Sequence, residues 1–245
     1  MMSAASAPRP VSHLKVLSAG AVKYVVTDFA PTFTRETGDR IEFTFGTIGG
    51  VQQRLASGET ADIIMGTATA IARMEQSGVL VAGSRTELGR TLTGICVRDG
   101  TPMPDIATPE SFKQAMLDAR SIAFTNPSAG GTSGIFLVGL LERLGIAEAV
   151  RKKAVLCING DEVVEKVLSG DAEVGSTFIS EIVPVKGVKV VGPLPAAIEN
   201  ATAYAAGIMA GSNNREAAGR FIAMLTAPAQ REAWMSLGFE PAGRG

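Results

Sequence analysis

The stretch Asn126-Pro-Ser-Ala-Gly-Gly-Thr-Ser-Gly134 decides how the chain is read. A short apolar run, residues 121–125, precedes it and reads as a strand. An apolar run at helical spacing, residues 135–144, follows it. Three glycines let the backbone approach a ligand closely and adopt positive φ. Thr132 or Ser133 is positioned to cap the helix. A helix start carries free N–H groups and partial positive charge, which suits an anion. The stretch therefore reads either as a capped strand-to-helix turn or as an anion cradle. No Lys-Ser/Thr pair closes it, so it is not a nucleotide P-loop.

The same strand, small-residue turn, helix unit recurs on both sides. Upstream, residues 14–17 read as a strand and 18–21 as a small-residue turn. Residues 22–36 keep helical spacing, with a kink or break expected at Pro31. Residues 41–45 alternate as a strand and 46–50 turn into a helix over 51–56. Residues 61–65 are a third strand, with Thr67 as cap of the next helix. Residues 91–97 form another strand. Thr108-Pro109 is a strong helix start, a cap followed by proline at the first helical position. Downstream come a strand over 154–158, a helix over 161–168 and a strand over 172–177. A strand over 203–209 and helices over 214–225 and 228–237 complete the chain. Alternating β and α units imply parallel sheets covered by helices, an α/β fold.

Bulk composition excludes several classes. Hydrophobic residues make up 46% and charged residues 19%, as in a globular protein with a sizeable core. A net charge of −1 leaves no electrostatic footprint for nucleic acid. No run approaches 18 apolar residues, so no membrane insertion is expected. Cys96 and Cys157 lie in apolar runs and read as buried free thiols. No metal or nucleotide motif is present, and no cofactor is expected. Residues 1–10 read as a disordered tail without a secretory signal. The chain as written is then cytoplasmic, or periplasmic if a signal has been removed. His13 precedes the first strand, at the end away from the glycine-rich loops.

Three motifs carry a family resemblance. They are Leu14-Lys-Val-Leu-Ser-Ala-Gly-Ala21, then Phe45-Gly-Thr-Ile-Gly-Gly-Val-Gln-Gln-Arg-Leu-Ala-Ser-Gly58 with Ala61-Asp62. The third is Arg220-Phe-Ile-Ala-Met-Leu-Thr-Ala-Pro-Ala-Gln230 with Gly238-Phe-Glu-Pro241. Together they resemble the substrate-binding proteins that include the periplasmic molybdate-binding protein. The resemblance implies a two-lobe type II periplasmic-binding-protein fold. Each lobe is a mainly parallel sheet flanked by helices, with the ligand cleft between them. Lobe one would be residues 11–88 with 190–245, and lobe two residues 89–189. It also implies a monomer that hands its ligand to an ABC transporter membrane component if exported. In open α/β sheets ligands sit at the carboxyl ends of the strands. Loops 18–23, 46–50, 126–134 and 175–180 meet that criterion.

Departures from the family pattern shape the ligand expectation. Ala21 and the run Thr47-Ile48-Gly49 stand where molybdate binders carry serines, and Phe178 stands where they carry a tyrosine. Molybdate is disfavoured, and a di- or tricarboxylate fits better. The expected contacts are Ala19, Gly20, Ala21, Lys23, Thr47, Gly49, Gly50, Gly130, Gly131, Thr132, Ser133, Ser176, Thr177 and Phe178. The function expected first is a substrate-binding protein that captures a small anion, an organic di- or tricarboxylate rather than molybdate. The alternative, implied by relatives that resemble aconitate isomerases, is a cofactor-free proton shift in an unsaturated tricarboxylate. Lys23 or Glu181 would then be the base.

Overall fold

Leu14, Val16 and Leu17 are all buried, so the first strand is covered on both faces, as a strand inside a parallel sheet must be. The computed structural model describes residues 11–241, so the expected tail over 1–10 lies outside them. In chain order the first elements are β1 (His13–Ala19), α1 (Lys23–Thr37), β2 (Arg40–Gly46), α2 (Ile48–Ala56), β3 (Ile63–Thr67) and α3 (Ala68–Gln76). The long strand β4 (Thr86–Arg98) leads to α4 (Pro109–Asp118), β5 (Ile122–Thr125), α5 (Thr132–Arg143), α6 (Ala147–Arg151) and β6 (Ala154–Cys157). Then follow α7 (Gly160–Ser169), β7 (Val174–Phe178), α8 (Ile179–Ile182), β8 (Val188–Pro193) and β9 (Ala201–Ile208). The last elements are α9 (Arg215–Leu225), α10 (Arg231–Ser236) and β10 (Phe239–Pro241).

The strands run in the order β2-β1-β3-β9-β4-β7-β5-β6, with β8 and β10 also on β4. The path is continuous, yet β4 serves two groups of strands. Its first half, through Leu92, pairs with β9 and β10. Its second half, from Thr93, pairs with β7 and β8. Within each group the inner strands are parallel, β2-β1-β3 in one and β7-β5-β6 in the other. Each group has a core on both faces. Phe33, Phe221 and Trp234 fill one face of the first group, and Val51, Ile64 and Ile71 the other. Phe112, Phe124 and Leu137 fill one face of the second, and Cys96, Cys157 and Val163 the other. Both cysteines are buried free thiols.

Several local expectations are corrected. Helix α1 runs through Pro31 without a break; Thr27, the residue whose carbonyl loses its helical donor, turns its own hydroxyl back to the Lys23 carbonyl. Helix α2 starts at Ile48 rather than 51, because Thr47 caps it by accepting the Gly50 N–H. The cap of α5 is Gly131, and no side chain caps that helix, so neither Thr132 nor Ser133 does so. Strand β4 is almost twice the length expected, and β8 carries no strand expectation at all. Thr108 behaves as read: its hydroxyl accepts the Ser111 N–H at 3.1 Å.

Candidate functional site

Four helices of nine residues or more begin at one pocket. Thr47 caps α2, Thr67 caps α3, Gly131 caps α5 and Asn159 caps α7, and all four residues line it. Strand geometry dictates this convergence, since helices that follow parallel strands all start at the strands' carboxyl ends. Each start contributes partial positive charge and uncovered N–H groups, so the pocket favours an anion. The cavity itself is small, about 30 Å³, within a recess of about 340 Å³ that includes open solvent. Ala19, Gly20 and Ala21 close one side, Thr125, Thr132 and Ser133 another, and Phe178, Glu181 and Tyr204 a third.

Three hydroxyls in this wall are conspicuous. Thr125, Ser133 and Tyr204 are buried residues, and none of their hydroxyls has a hydrogen-bond partner among the described residues. Their oxygens are unpartnered without being sealed in protein, so they are free to hydrogen-bond a polar ligand in the pocket.

Glu181 is the one carboxyl in the pocket wall among the described residues, and only 5% exposed. Its Oε2 accepts the Thr177 hydroxyl and, at 3.3 Å, the Phe178 N–H. Two glycines clear room for it. A Cβ on Gly160 would lie 2.0 Å from Oε2, and one on Gly20 would lie 3.1 Å from Oε1. Burial pushes the Glu181 carboxyl up to about 7. The Thr177 and Phe178 donors pull it down, Asp161 adds to the rise, and Lys23 opposes it. Burial and Glu181 together hold the Tyr204 phenol well above its ordinary 10.

The residues expected from sequence divide into two sets. Ala19, Gly20, Ala21, Thr47, Gly131, Thr132, Ser133, Phe178 and Glu181 line the pocket. Lys23, Gly49, Gly50, Gly130, Ser176 and Thr177 do not; apart from Ser176, which is buried without a partner, they meet protein. Lys23 Nζ lies 2.6 Å from Asp161 Oδ2, and the Tyr24 hydroxyl donates to Oδ1 at 3.3 Å. Burial first, then Asp161, pushes the Tyr24 phenol up to about 12. The Thr47 hydroxyl donates to the Ala129 carbonyl while it accepts from Gly50. Gly49 and Gly130 meet backbone to backbone, and a Cβ on Gly49 would lie 2.8 Å from the Gly130 Cα. Gly130 holds φ at 71°, the left-handed region.

Thr67, Thr125, Asn159, Gly160 and Tyr204 enter the pocket without having been singled out for it from sequence. Asn159 and Thr67 were findable as helix caps at strand ends. Tyr204 sits inside a strand and gives no local signal.

Residues 14–240 match the family model described as bacterial extracellular solute-binding protein. The chain is 29% identical over 241 residues to a protein named aconitate isomerase from Pseudomonas sp, covering 96% of this chain and 90% of that one. The structure superposes on the Azotobacter vinelandii periplasmic molybdate-binding protein with a TM-score of 0.78 at 18% identity, covering 94% of this chain and all of that one. It also superposes on the sulfate-binding protein SubI from Mycobacterium tuberculosis H37Rv, with a TM-score of 0.76 at 15% identity, covering 94% and 87%. At these identities the structural likeness is one of fold, the two-lobe type II periplasmic-binding-protein architecture.

Proposed function

The chain belongs to the family of bacterial extracellular solute-binding proteins, and from that premise we propose that it is a cofactor-free isomerase of an unsaturated tricarboxylate. One observation carries the reading. A buried carboxyl with a proton affinity near neutrality, Glu181, stands in the wall of an otherwise anion-favouring pocket. When ionised, a carboxyl there repels an anionic ligand and is costly to bury, which suits a base better than a binder. A base that must take and return a proton near pH 7 needs that proton affinity. The 29% likeness to a protein named aconitate isomerase, over nearly the whole of both chains, supports the same reading.

The chemistry is a shift of one proton. The Glu181 carboxylate removes a proton from the methylene carbon beside a carboxylate. The C–H electron pair spreads over the allyl carbons and the flanking carboxylates. Glu181 then returns the proton to the former alkene carbon, so the double bond moves one position and re-forms cis or trans. The starts of α2, α5 and α7 hold the carboxylates and receive the developing charge. The two lobes we propose part within β4, between Leu92 and Thr93, and again between β8 and β9, so the boundaries expected at 89 and 190 shift by a few residues. No helix among the described residues is long and apolar enough to cross a membrane.

Proton NMR in D₂O tests the reading. Incubation with cis-aconitate is expected to give the trans isomer with deuterium incorporated at carbon. Tight binding without interconversion or exchange would instead favour a binding protein that delivers an organic anion to an ABC transporter. The joint change Thr132→Ala with Ser133→Ala is expected to weaken tricarboxylate binding at least tenfold, or about 1.4 kcal/mol, by calorimetry. Because neither hydroxyl caps α5, the loss of stability should stay below the ~1 kcal/mol of a lost N-cap. Molybdate titrated in the same instrument is expected to show no sub-micromolar affinity, since Ala21 and Phe178 present no hydroxyl to it.

A further inference from the structure

We propose that the Tyr204 phenol is a hydrogen-bond donor to a carboxylate of the bound tricarboxylate, brought to the pocket on a different group of strands from Glu181. Tyr204 lies on β9, in the group built on β1 and β3. Glu181 lies on α8, which follows β7 in the other group. The two come to one pocket from different groups of strands.

Packing fixes the ring. Phe178 meets it edge-on at 5.9 Å between centroids and Phe239 at 6.1 Å, and the residue is 2% exposed. Tyr204 lines the pocket, and its hydroxyl has no partner among the described residues. A buried phenol normally finds an acceptor, and here the space it reaches is the space that favours an anion. The ring has two torsions, both held by its aromatic neighbours, so donation to a ligand loses little side-chain freedom. The phenol stays protonated at working pH, because burial and the Glu181 charge both disfavour the phenolate. It can donate and cannot serve as base.

Resting on the isomerase reading, this gives the two groups separate tasks. Glu181 carries the proton between carbons. Tyr204 keeps its own proton and donates it to a carboxylate oxygen onto which the C–H electron pair delocalises. The bond is then stronger in the transition state than with the ground-state substrate, because the accepting oxygen is more negative there.

The variant Tyr204→Phe removes one oxygen and leaves both aromatic contacts in place. Its melting temperature is expected to stay within a few degrees of wild type. Two probes separate the outcomes: trans-aconitate for turnover, and propane-1,2,3-tricarboxylate, which has no double bond, for binding. The expected result is a kcat on trans-aconitate lowered about 100-fold, with the Kd for the saturated tricarboxylate raised less than tenfold. A kcat within threefold of wild type overturns the assignment. If wild type binds both compounds but isomerises neither, the isomerase reading fails on its own. Affinity then decides the donor: a loss of tenfold or more for trans-aconitate in Tyr204→Phe upholds it, and unchanged affinity overturns it.

Discussion

Replacing Glu181 by Gln is expected to lower isomerisation by about 10²–10⁴-fold, the range for removal of a general base, while making the protein harder to unfold at pH 8. The two effects share one cause. The carboxyl is buried, and its affinity for a proton rises from an ordinary 4.5 to about 7 on folding. Between those values the native state holds a proton that the unfolded chain releases. The stability associated with this group is thus fully present below about 4.5 and falls as pH rises to about 7. That rise corresponds to about 3 kcal/mol. Gln carries no charge to bury, and its amide oxygen can accept from Thr177 and Phe178 as the carboxylate does. The variant should therefore melt above wild type at pH 8, with the gap closing toward pH 4. In wild type, kcat/KM should climb with pH through about 7, because the base acts only when ionised. Asp161, Lys23, Tyr24 and Tyr204 are the charged or titratable groups coupled to that transition. A variant that keeps its turnover, or a melting gap that widens toward acid pH, would remove Glu181 from this role.

The second large effect comes from one methyl group. Gly160 opens α7 directly against Glu181, and a Cβ there would overlap Oε2 at 2.0 Å. Since the residue is helical, alanine would suit the backbone, and on propensity alone the change would stabilise. Overlap decides the sign instead. Either the carboxyl swings away from Thr177 or the start of α7 lifts, and overpacking of this kind costs about 1–3 kcal/mol. Gly160→Ala is expected to lower turnover at least 100-fold and to lower the melting temperature. Denaturant unfolding alongside the NMR assay reads both. Full activity in this variant would mean that the position of Glu181 is not held as tightly as the geometry indicates.

Much of the architecture was legible in the sequence because its signals are local. The glycine-rich turns, Thr67 and Thr108 as caps, and the period of each run follow from residue types a few positions apart. What escaped depends on pairing over distance. Lys23 looked free for an anion because Asp161, its partner, lies 138 residues away. Thr47 and Gly50 looked like ligand donors because nothing local shows that one hydroxyl satisfies both Gly50 and the distant Ala129 carbonyl. Tyr204 alternates inside a buried strand and reads as core, which most of its ring is. The β3–β9 register, which pairs it with Thr67, places Tyr204 at the pocket.

The strand order also bears on how the molecule is made. On a ribosome β3 emerges early, but β9, which covers its open edge, follows about 130 residues later. At 5–20 residues per second the wait is on the order of 10 s. During that time Ile63, Ile64 and Met65, all fully buried in the finished fold, sit in a nascent sheet with unpaired N–H and C=O groups along one side. Such an edge is a template for the wrong neighbour, so this segment is where a holding chaperone would be needed during synthesis. A chain released before residue 208 should aggregate through it.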